Sequence, residues 1–425
     1  VPYGVWASSA YVTLSSVTVS TAGGLGIYTA GVRISSWSAI SYSSVTVWGA
    51  HGFWLDGATR TSIGYSTAVI NSVSNAVFLD GGKNNSFTVI FASNSHASGN
   101  SFYALGSDTN TVTQSVIWGG FRGAYLNTGS DYNTISLSTM IGSASCGLCT
   151  FSNSSNVVTQ SYLWGGTRAA WLDTGTNYSS ISLSTMIGSS QYGYYTIAAD
   201  SNTVTQRYMW GGQDGVVLNT GSDYTAISLS TMIGSTLYGF YAIAADSHVV
   251  TQSYMQGGDR GVMLDTGADY SSISLSTMIG VAQYGFLVRA GATNTVTQSY
   301  MWGGNIGAYE DVGSSYTRIN ASTMIGAATY GLYLVGADSN IVTLSYMWGA
   351  TRGAWLDNGS ESNLISQSTM IGGTQYGLLI ETAFNTVSQS FMSGATRGAW
   401  LNIGAAANTI VTSTMIGGAN YGLQA

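Results

Sequence analysis

The sequence is poor in charge, proline and cysteine. Charged residues make up 7% of its 425 residues, against roughly 25% in ordinary soluble domains, and it has 1 proline and 2 cysteines. The net charge is −7 and no basic run is present, so we expect neither nucleic acid nor an anionic membrane as a partner. No apolar run approaches the ~18 residues of a membrane-spanning helix, so no membrane span is predicted.

No secretory leader is visible, because the chain opens directly on repeat-like sequence. This suits a processed protein outside the cell or at its surface, although a fragment of a longer chain looks the same. Cys146 and Cys149 form one CGLC motif. No βαβ context supports a thioredoxin-like role. Replacement of small or aromatic residues within one repeat is the favoured interpretation, and a local disulfide is the alternative.

The dominant feature of the sequence is a repeat. Methionines recur every 46 residues from Met140 to Met370, and Gly119, Gly142 and Gly165 show the underlying step of 23. Such self-similarity predicts a solenoid, in which each repeat packs only on its neighbours. We therefore predict one β-helix over 1–425, with irregular coils of 22–27 residues in 1–109 and regular 46-residue double coils in 110–425.

Each repeat has short runs of apolar residues separated by Gly-containing turns. This pattern is typical of short strands, and nothing long enough has the period of a helix. Three strands in 23 residues make one coil of a parallel β-helix, with equivalent residues stacked about 4.8 Å apart. Val112, Ile135 and the Met140 column should point inward, with serines and asparagines at the bends.

The segments NTISLSTMIG at 133–142 and TYGLYLVG at 329–336 carry a family resemblance. They resemble the repeat of right-handed parallel β-helix proteins, the pectate-lyase-like and NosD-type groups, and the resemblance runs from Tyr3 to Leu423. It implies an all-β right-handed parallel β-helix of about 18 coils of about 23 residues. It is closest to non-catalytic surface or fibre members, but this fold carries many functions.

The charged residues recur with the repeat, whereas a catalytic acid should be unique. Asp173, Asp265 and Asp357 occupy one turn column, and we expect the arginine column containing Arg168 to form surface Arg–Asp pairs with it. Glu310 stands at a core-facing leucine position, where an unpaired carboxylate is costly. A local bulge or a shifted strand is the favoured explanation, and a functional acid is the alternative. No catalytic, cofactor-binding or metal-ligating residue is predicted, and the protein is predicted not to be an enzyme.

Two aromatic columns are predicted to form an interaction stripe, because a continuous exposed apolar stripe usually marks a contact surface. Another protein chain, the rings of a sugar and the chain's own loops are the three possible occupants. The stripe consists of Trp118, Trp164, Trp210, Trp302 and Trp348 in one column and Tyr125, Trp171, Tyr309, Trp355 and Trp400 in the other.

The two ends of the chain share one phase of the coil. The last coil of one copy could therefore pair with the first coil of the next, and this contact would propagate as a filament. The predicted function is a non-enzymatic extracellular structural protein, a filament or surface-layer subunit and thus a homopolymer. A carbohydrate-binding adhesin that contacts cell-surface glycans, or a polysaccharide lyase or hydrolase, is the alternative. The predicted end-to-end contact comprises Tyr3, Val5, Trp6, Tyr421 and Leu423.

Overall fold

A computed structural model describes residues 3–21 and 29–425. Successive strands join three parallel sheets in turn, which we call sheets A, B and C, so that one strand from each makes a coil. The predicted right-handed parallel β-helix of about 18 coils, with about 23 residues per turn, is confirmed. No α-helix occurs among the described residues. The chain divides into two compact units, Val1–Gly212 and Gln213–Ala425.

In the first unit the strands follow the order A, B, C along the chain. They are Tyr3–Ala7, Thr13–Ser15, Thr18–Thr21, Ala30–Ile34, Ala39–Ser41, Ser44–Trp48, His51–Asp56, Ser62–Gly64, Thr67–Asn71, Val77–Asp80, Ser86–Thr88, Phe91–Asn94, Phe102–Leu105, Thr111–Thr113, Val116–Gly119, Ala124–Asn127, Thr134–Ser136, Thr139–Gly142, Cys146–Thr150, Val157–Thr159, Tyr162–Gly165, Arg168–Leu172, Ser180–Ser182, Thr185–Gly188, Tyr192–Ile197, Thr203–Thr205 and Tyr208–Gly211.

The second unit has the same order and begins and ends with a strand of sheet A. Its strands are Asp214–Asn219, Ala226–Ser228, Thr231–Gly234, Tyr238–Ile243, Val249–Thr251, Tyr254–Gly257, Arg260–Asp265, Ser272–Ser274, Thr277–Gly280, Tyr284–Val288, Thr295–Thr297, Tyr300–Gly303, Ile306–Glu310, Arg318–Asn320, Thr323–Gly326, Tyr330–Leu334, Ile341–Thr343, Tyr346–Gly349, Arg352–Leu356, Leu364–Ser366, Thr369–Gly372, Tyr376–Ile380, Thr386–Ser388, Phe391–Gly394, Arg397–Leu401, Thr409–Val411, Thr414–Gly417 and Tyr421–Gln424.

The register explains why the sequence repeats every two coils. In sheet C, Ile117 pairs with Met140, 23 residues later. In sheet A, Ala124 pairs with Leu148 and Leu148 with Ala170, which are steps of 24 and 22 residues. The steps alternate because the link from sheet C to sheet A has one more residue in every second coil. The structural repeat is therefore a pair of unequal coils.

The core lies between the three sheets and is filled by the predicted inward columns. Val112 and Ile135 of sheet B and Met140 of sheet C are at most 2% exposed. Serines close the bend before sheet C: the backbone N–H of Ser115 donates to Oγ of Ser138 in the next coil at 3.1 Å. The predicted register is confirmed by this burial.

Glu310 departs from the prediction made for it. It pairs in register with Val288 and Leu334, so no bulge forms there, and its side chain is 0% exposed. Neither carboxylate oxygen has a hydrogen-bond partner. The bulge was expected because an unpaired buried carboxylate is costly. The cost is instead reduced by protonation, since burial raises the pKa of Glu310 to about 8.

From Val116–Gly119 onward each sheet-C strand ends in glycine, which close backbone approach requires. A Cβ on Gly142 would lie 1.9 Å from the carbonyl oxygen of Cys146. The two other bends instead use residues with a left-handed backbone: Gly129 and Tyr132 between sheets A and B, with φ of 69° and 56°, and Leu137 between sheets B and C, with φ of 50°. Non-glycine residues occupy these bends in almost every coil, although glycine or asparagine adopts this geometry at less cost.

Candidate functional site

The first predicted column lies on the outer face of sheet C. Trp118 pairs with Ile141 and Ile141 with Trp164, so indoles alternate with isoleucines up the sheet. These side chains are half-buried, and none of the five tryptophans of this column is in contact with another aromatic ring among the described residues. The column therefore remains a predicted interaction surface.

The second column lies on sheet A, and its rings contact aromatic rings of adjacent coils. In the second unit Tyr309 stacks on Tyr333 at 5.2 Å between ring centroids, and Tyr333 stacks on Trp355 at 4.6 Å. Trp171 and Trp400 instead meet the neighbouring tyrosine ring at 72° and 70° between ring planes. The two predicted columns thus lie on different sheets, and within the described residues only the second packs against other aromatic rings.

The arginine column on sheet A packs against these rings. The guanidinium carbon of Arg168 lies 4.3 Å from the ring centroid of Trp171 and 5.5 Å from that of Tyr192 in the next coil. The prediction of Arg–Asp pairs is wrong for this column. Among its members within the described residues, only Arg260 forms an ion pair, with Asp259 at 3.5 Å. Cation–π contact replaces the carboxylates because each arginine of the column lies over at least one aromatic ring.

The periodic aspartates act as turn residues, as predicted. The backbone N–H of Asn358 donates to Oδ1 of Asp357 at 2.7 Å, while the Tyr333 hydroxyl donates to Oδ2 at 2.8 Å. Burial, together with the Asp357 carboxylate, raises the pKa of Tyr333 above its ordinary value. This tyrosine is a weaker acid than a free phenol, because it holds its proton more firmly.

Cys146 and Cys149 form a disulfide across the outer face of sheet A. The alternative of a local disulfide is therefore the one observed, and not the favoured interpretation of simple residue replacement. The bond occupies the positions that hold an arginine and an aromatic residue in the next coil, because Cys146 pairs with Arg168 and Cys149 with Trp171.

An exposed tyrosine column at the bend between sheets A and B was missed by the sequence analysis. We define the tyrosine comb as Tyr224, Tyr270 and Tyr316 of the second unit, which are 65%, 63% and 61% exposed. Their φ angles are 55°, 55° and 59°. Each backbone N–H is held by a carbonyl oxygen in the next coil, at 2.9–3.1 Å. Tyr132 and Tyr178 occupy the equivalent positions in the first unit.

The comb is not explained by folding. Its rings are outside the core, and a left-handed position favours glycine or asparagine over a bulky residue. A signal was present in the sequence, because the comb has the same 46-residue spacing as the tryptophans. It was overlooked because in-and-out alternation applies to strands and assigns no direction to a residue at a bend.

A column of carboxylates runs directly beside the comb. Asp223, Asp246 and Asp269 lie in three consecutive coils. One oxygen of each accepts a backbone hydrogen bond from the next coil: the N–H of Asp246 donates to Asp223 at 2.7 Å, and that of Asp269 to Asp246 at 2.9 Å. The comb is therefore an aromatic surface with a negative edge.

The other unusual titratable groups are buried. Burial raises the pKa of Asp214 to about 6, although its carboxylate accepts a hydrogen bond from the Tyr238 N–H at 2.8 Å. Burial lowers the pKa of His248 to about 4. Within residues 3–21 and 29–425, no group of three or more His, Cys, Asp or Glu side chains is placed to hold a metal ion.

The predicted end-to-end residues lie in strands of sheet A: Tyr3, Val5 and Trp6 in Tyr3–Ala7, and Tyr421 and Leu423 in Tyr421–Gln424. Trp6 and Tyr421 are exposed. Their contact remains a prediction. In the part of the chain that the structure describes, no helix is long and apolar enough to cross a membrane.

Comparison with known proteins identifies the fold. The family described as the right-handed β-helix region matches residues 195–347. The sequence has no significant match among curated proteins.

Several solved structures are similar in fold. The Dettilon tailspike protein is 11% identical with a TM-score of 0.36; the match covers 79% of this chain and 60% of the tailspike. The Azotobacter vinelandii mannuronan C-5 epimerase AlgE6 A-module is 10% identical over 96% of this chain and 90% of its own, with a TM-score of 0.29. PfbA, a surface adhesin of Streptococcus pneumoniae, is 7% identical over 86% and 85%, with a TM-score of 0.28.

These structures correct one prediction. The protein was predicted not to be an enzyme because its acids recur with the repeat. Structures of the same fold include a mannuronan C-5 epimerase and an alginate lyase, so that exclusion is wrong. At identities of 10% and 7% they show the fold and nothing about a reaction of this chain. Residues 195–347 match the right-handed β-helix family, and the chain has the right-handed parallel β-helix fold that its repeat predicted.

Proposed function

We propose that this protein is an extracellular glycan-binding protein, and that its tyrosine comb binds an extended polysaccharide along the bend between sheets A and B. The observation that carries this proposal is the comb itself. Tyr224, Tyr270 and Tyr316 expose more than 60% of their surface at bends where the backbone favours a smaller residue. Aromatic rings combine a large apolar face with a hydroxyl group, which suits a ligand with both apolar and polar surfaces.

The spacing of the comb supports an extended chain as the ligand. Neighbouring comb residues are two coils apart, which is about 10 Å. The disaccharide repeat of an extended β-1,4-linked glycan has nearly this length, so every second sugar would meet a tyrosine. The intervening coils place Ser247 and Thr293 at the same bend, where their hydroxyl groups can bond to the sugars between.

The charge beside the comb supports a neutral or amino-sugar glycan over a polyuronate. Asp246 and Asp269 accept these backbone hydrogen bonds through Oδ1, and their Oδ2 atoms can accept hydrogen bonds from sugar hydroxyl or ammonium groups. A uronate chain would instead bring its own carboxylates against them. Like charges placed face to face weaken binding.

An extracellular location is supported by the Cys146–Cys149 disulfide. Structural disulfides persist in oxidising compartments and are rare in the cytosol. The proposed function therefore places the comb where polysaccharides of cell walls and surfaces are encountered.

The test replaces the comb while keeping its backbone geometry. Tyr224→Asn, Tyr270→Asn and Tyr316→Asn are combined, because asparagine tolerates the left-handed conformation. A ring face covered by sugar contributes about 1 kcal/mol. We expect the triple variant to bind a neutral β-1,4-linked oligosaccharide at least about tenfold more weakly in calorimetry.

The matched control makes the same change at the other bend. Leu229→Asn, Leu275→Asn and Leu344→Asn remove exposed side chains with φ angles of 50°, 50° and 51°. We expect this variant to bind as the unmodified protein does. Equal weakening in both variants, or no binding of such glycans by the unmodified protein, would contradict the proposal.

A further inference from the structure

The outer face of sheet C in the second unit is uncovered by the rest of that unit. We define the sheet C face as the outward side chains of its nine strands, from Thr231–Gly234 to Thr414–Gly417. Links between strands on either side of the face have only two or three residues. No segment of the second unit is therefore long enough to fold over it.

The face is corrugated with a period of two coils. Tyr300 and Trp302 form one ridge, and Tyr346 and Trp348 form the next. The coils between and beside them carry only threonine and isoleucine, as at Ile325, which pairs with Trp302 below and Trp348 above. Large side chains thus alternate with smaller ones every coil, or about every 4.8 Å.

The face carries no charge. Its outward positions hold threonine, isoleucine, tyrosine, tryptophan, glutamine, phenylalanine and serine, in a chain whose net charge is −7. Two identical charged faces would repel each other, whereas two copies of this face do not. The tyrosines of both ridges, Tyr300 and Tyr346, are 39% and 37% exposed.

We propose that the sheet C face binds the same face of a second copy of this chain, with the aromatic ridges of one copy in the threonine–isoleucine valleys of the other. A shift of one coil puts every ridge opposite a valley, so the face is complementary to itself. This is what an isologous two-fold interface requires, because both copies contribute the same patch. This contact goes beyond the proposed glycan binding, since it uses sheet C rather than the bend between sheets A and B, and its partner is a second copy of the chain.

The available area is sufficient. Nine strands about 4.8 Å apart and four residues of about 3.3 Å give a face of roughly 500 Å² per copy, or about 1,000 Å² per pair. This reaches the lower limit for a specific interface, and interdigitated ridges bury more than the flat estimate. The aromatic residues at its centre are the types that carry most of the free energy of binding in such contacts.

The test places one charge in a central valley. Ile325 is half-buried and outward-facing, so the guanidinium of Ile325→Arg lies in water in a single copy. In the dimer both copies would bury this charge in the interface without a partner, which is costly. Ser272→Arg is the matched control on sheet B, in the column that naturally contains Arg318. Both variants are compared as full chains by sedimentation equilibrium, with circular dichroism as the check on folding.

We expect the unmodified chain to dimerise and Ile325→Arg to weaken dimerisation at least about tenfold, with an unchanged β-sheet spectrum. Ser272→Arg and the comb variant should dimerise normally. A monomeric unmodified chain at its highest soluble concentration would overturn the proposal, and so would equal weakening by Ser272→Arg. If an oligosaccharide bound the unmodified chain, prevented its dimerisation and no longer bound the Trp302→Ser variant, the sheet C face would be assigned to glycan instead.

Discussion

At the scale of single residues, the positions that break the repeat are the most informative. Glu310 replaces the aliphatic residue of an inner column and stays in register, and it remains fully buried. The sequence showed that an acidic residue stands in an aliphatic column, but not whether the strand would bulge there. That depends on how firmly the neighbouring coils hold the strand in register. In-register ladders on both sides hold it here.

We predict that Glu310→Leu stabilises the second unit above neutral pH. The pKa of Glu310 is about 8 when folded and near 4.5 when unfolded, so the folded chain binds more protons between these values. Stability therefore falls as pH rises from about 4.5 to about 8. Removing the carboxyl should abolish this decline and raise the free energy of unfolding by a few kcal/mol at pH 8.

Denaturant unfolding between pH 4 and pH 9 measures this effect. Val312→Thr, at the exposed turn two positions along, is the control and should leave the slope unchanged, because it adds no titratable group. An unaltered pH dependence in Glu310→Leu would mean that Glu310 does not titrate as described.

At the scale of strands and bends, stacking made most of the fold predictable. A residue type that recurs every 23 residues must occupy one ladder, so the inner columns and the serine bends followed from the sequence. The environment of the arginine side chains could not be predicted from the sequence in the same way. The ring that covers Arg168 from above, Tyr192, belongs to the next coil, and neighbours in sequence gave no sign of it.

The methionine ladder should be essential to local packing. Met232 is 0% exposed between sheets, so Met232→Ala should lower the free energy of unfolding by about 2–5 kcal/mol through the lost burial and the cavity left behind. Thr231→Ala, the outward neighbour, should change it by less than about 0.5 kcal/mol. Comparable losses in both variants would show that burial does not set the cost.

Glycine-to-alanine substitutions should show whether a strand glycine is needed because another backbone atom lies close to it. A Cβ at Gly142 would lie 1.9 Å from a carbonyl oxygen, whereas at Gly64 the nearest atom is 3.6 Å away. Gly142→Ala should therefore destabilise the first unit, and Gly64→Ala should stabilise it by about 0.5–1 kcal/mol. Thermal unfolding of the two variants gives the comparison, and an equal loss in both would contradict it.

At the scale of the whole molecule, we expect charge to decide which glycans bind at the proposed comb site. The protein carries −7, and three aspartates adjoin the comb. We predict that an oligouronate binds more weakly than a neutral oligosaccharide of equal length, and that salt narrows the difference by screening. Calorimetry at low and high ionic strength checks this, and tighter binding of the uronate at low salt would contradict it.

The three faces of the coil were not equally readable from the sequence. Sheet C and sheet A were predicted to carry aromatic columns because strand alternation turns those positions outward. The comb lies at a bend, and its exposure depends on the left-handed conformation at Tyr224, Tyr270 and Tyr316, which no residue type there signals.

The most direct test of the account is the dependence of binding on oligosaccharide length. Comb residues are about 10 Å apart, so a chain of about three sugars reaches two tyrosines and one of about five reaches all three. Calorimetry with a neutral β-1,4-linked series should show affinity rising steeply up to about five sugars for the second unit's comb, and Tyr270→Asn should flatten that rise. A length-independent affinity, or the same rise in the Tyr270→Asn variant, would contradict the assignment of the comb as the glycan-binding surface.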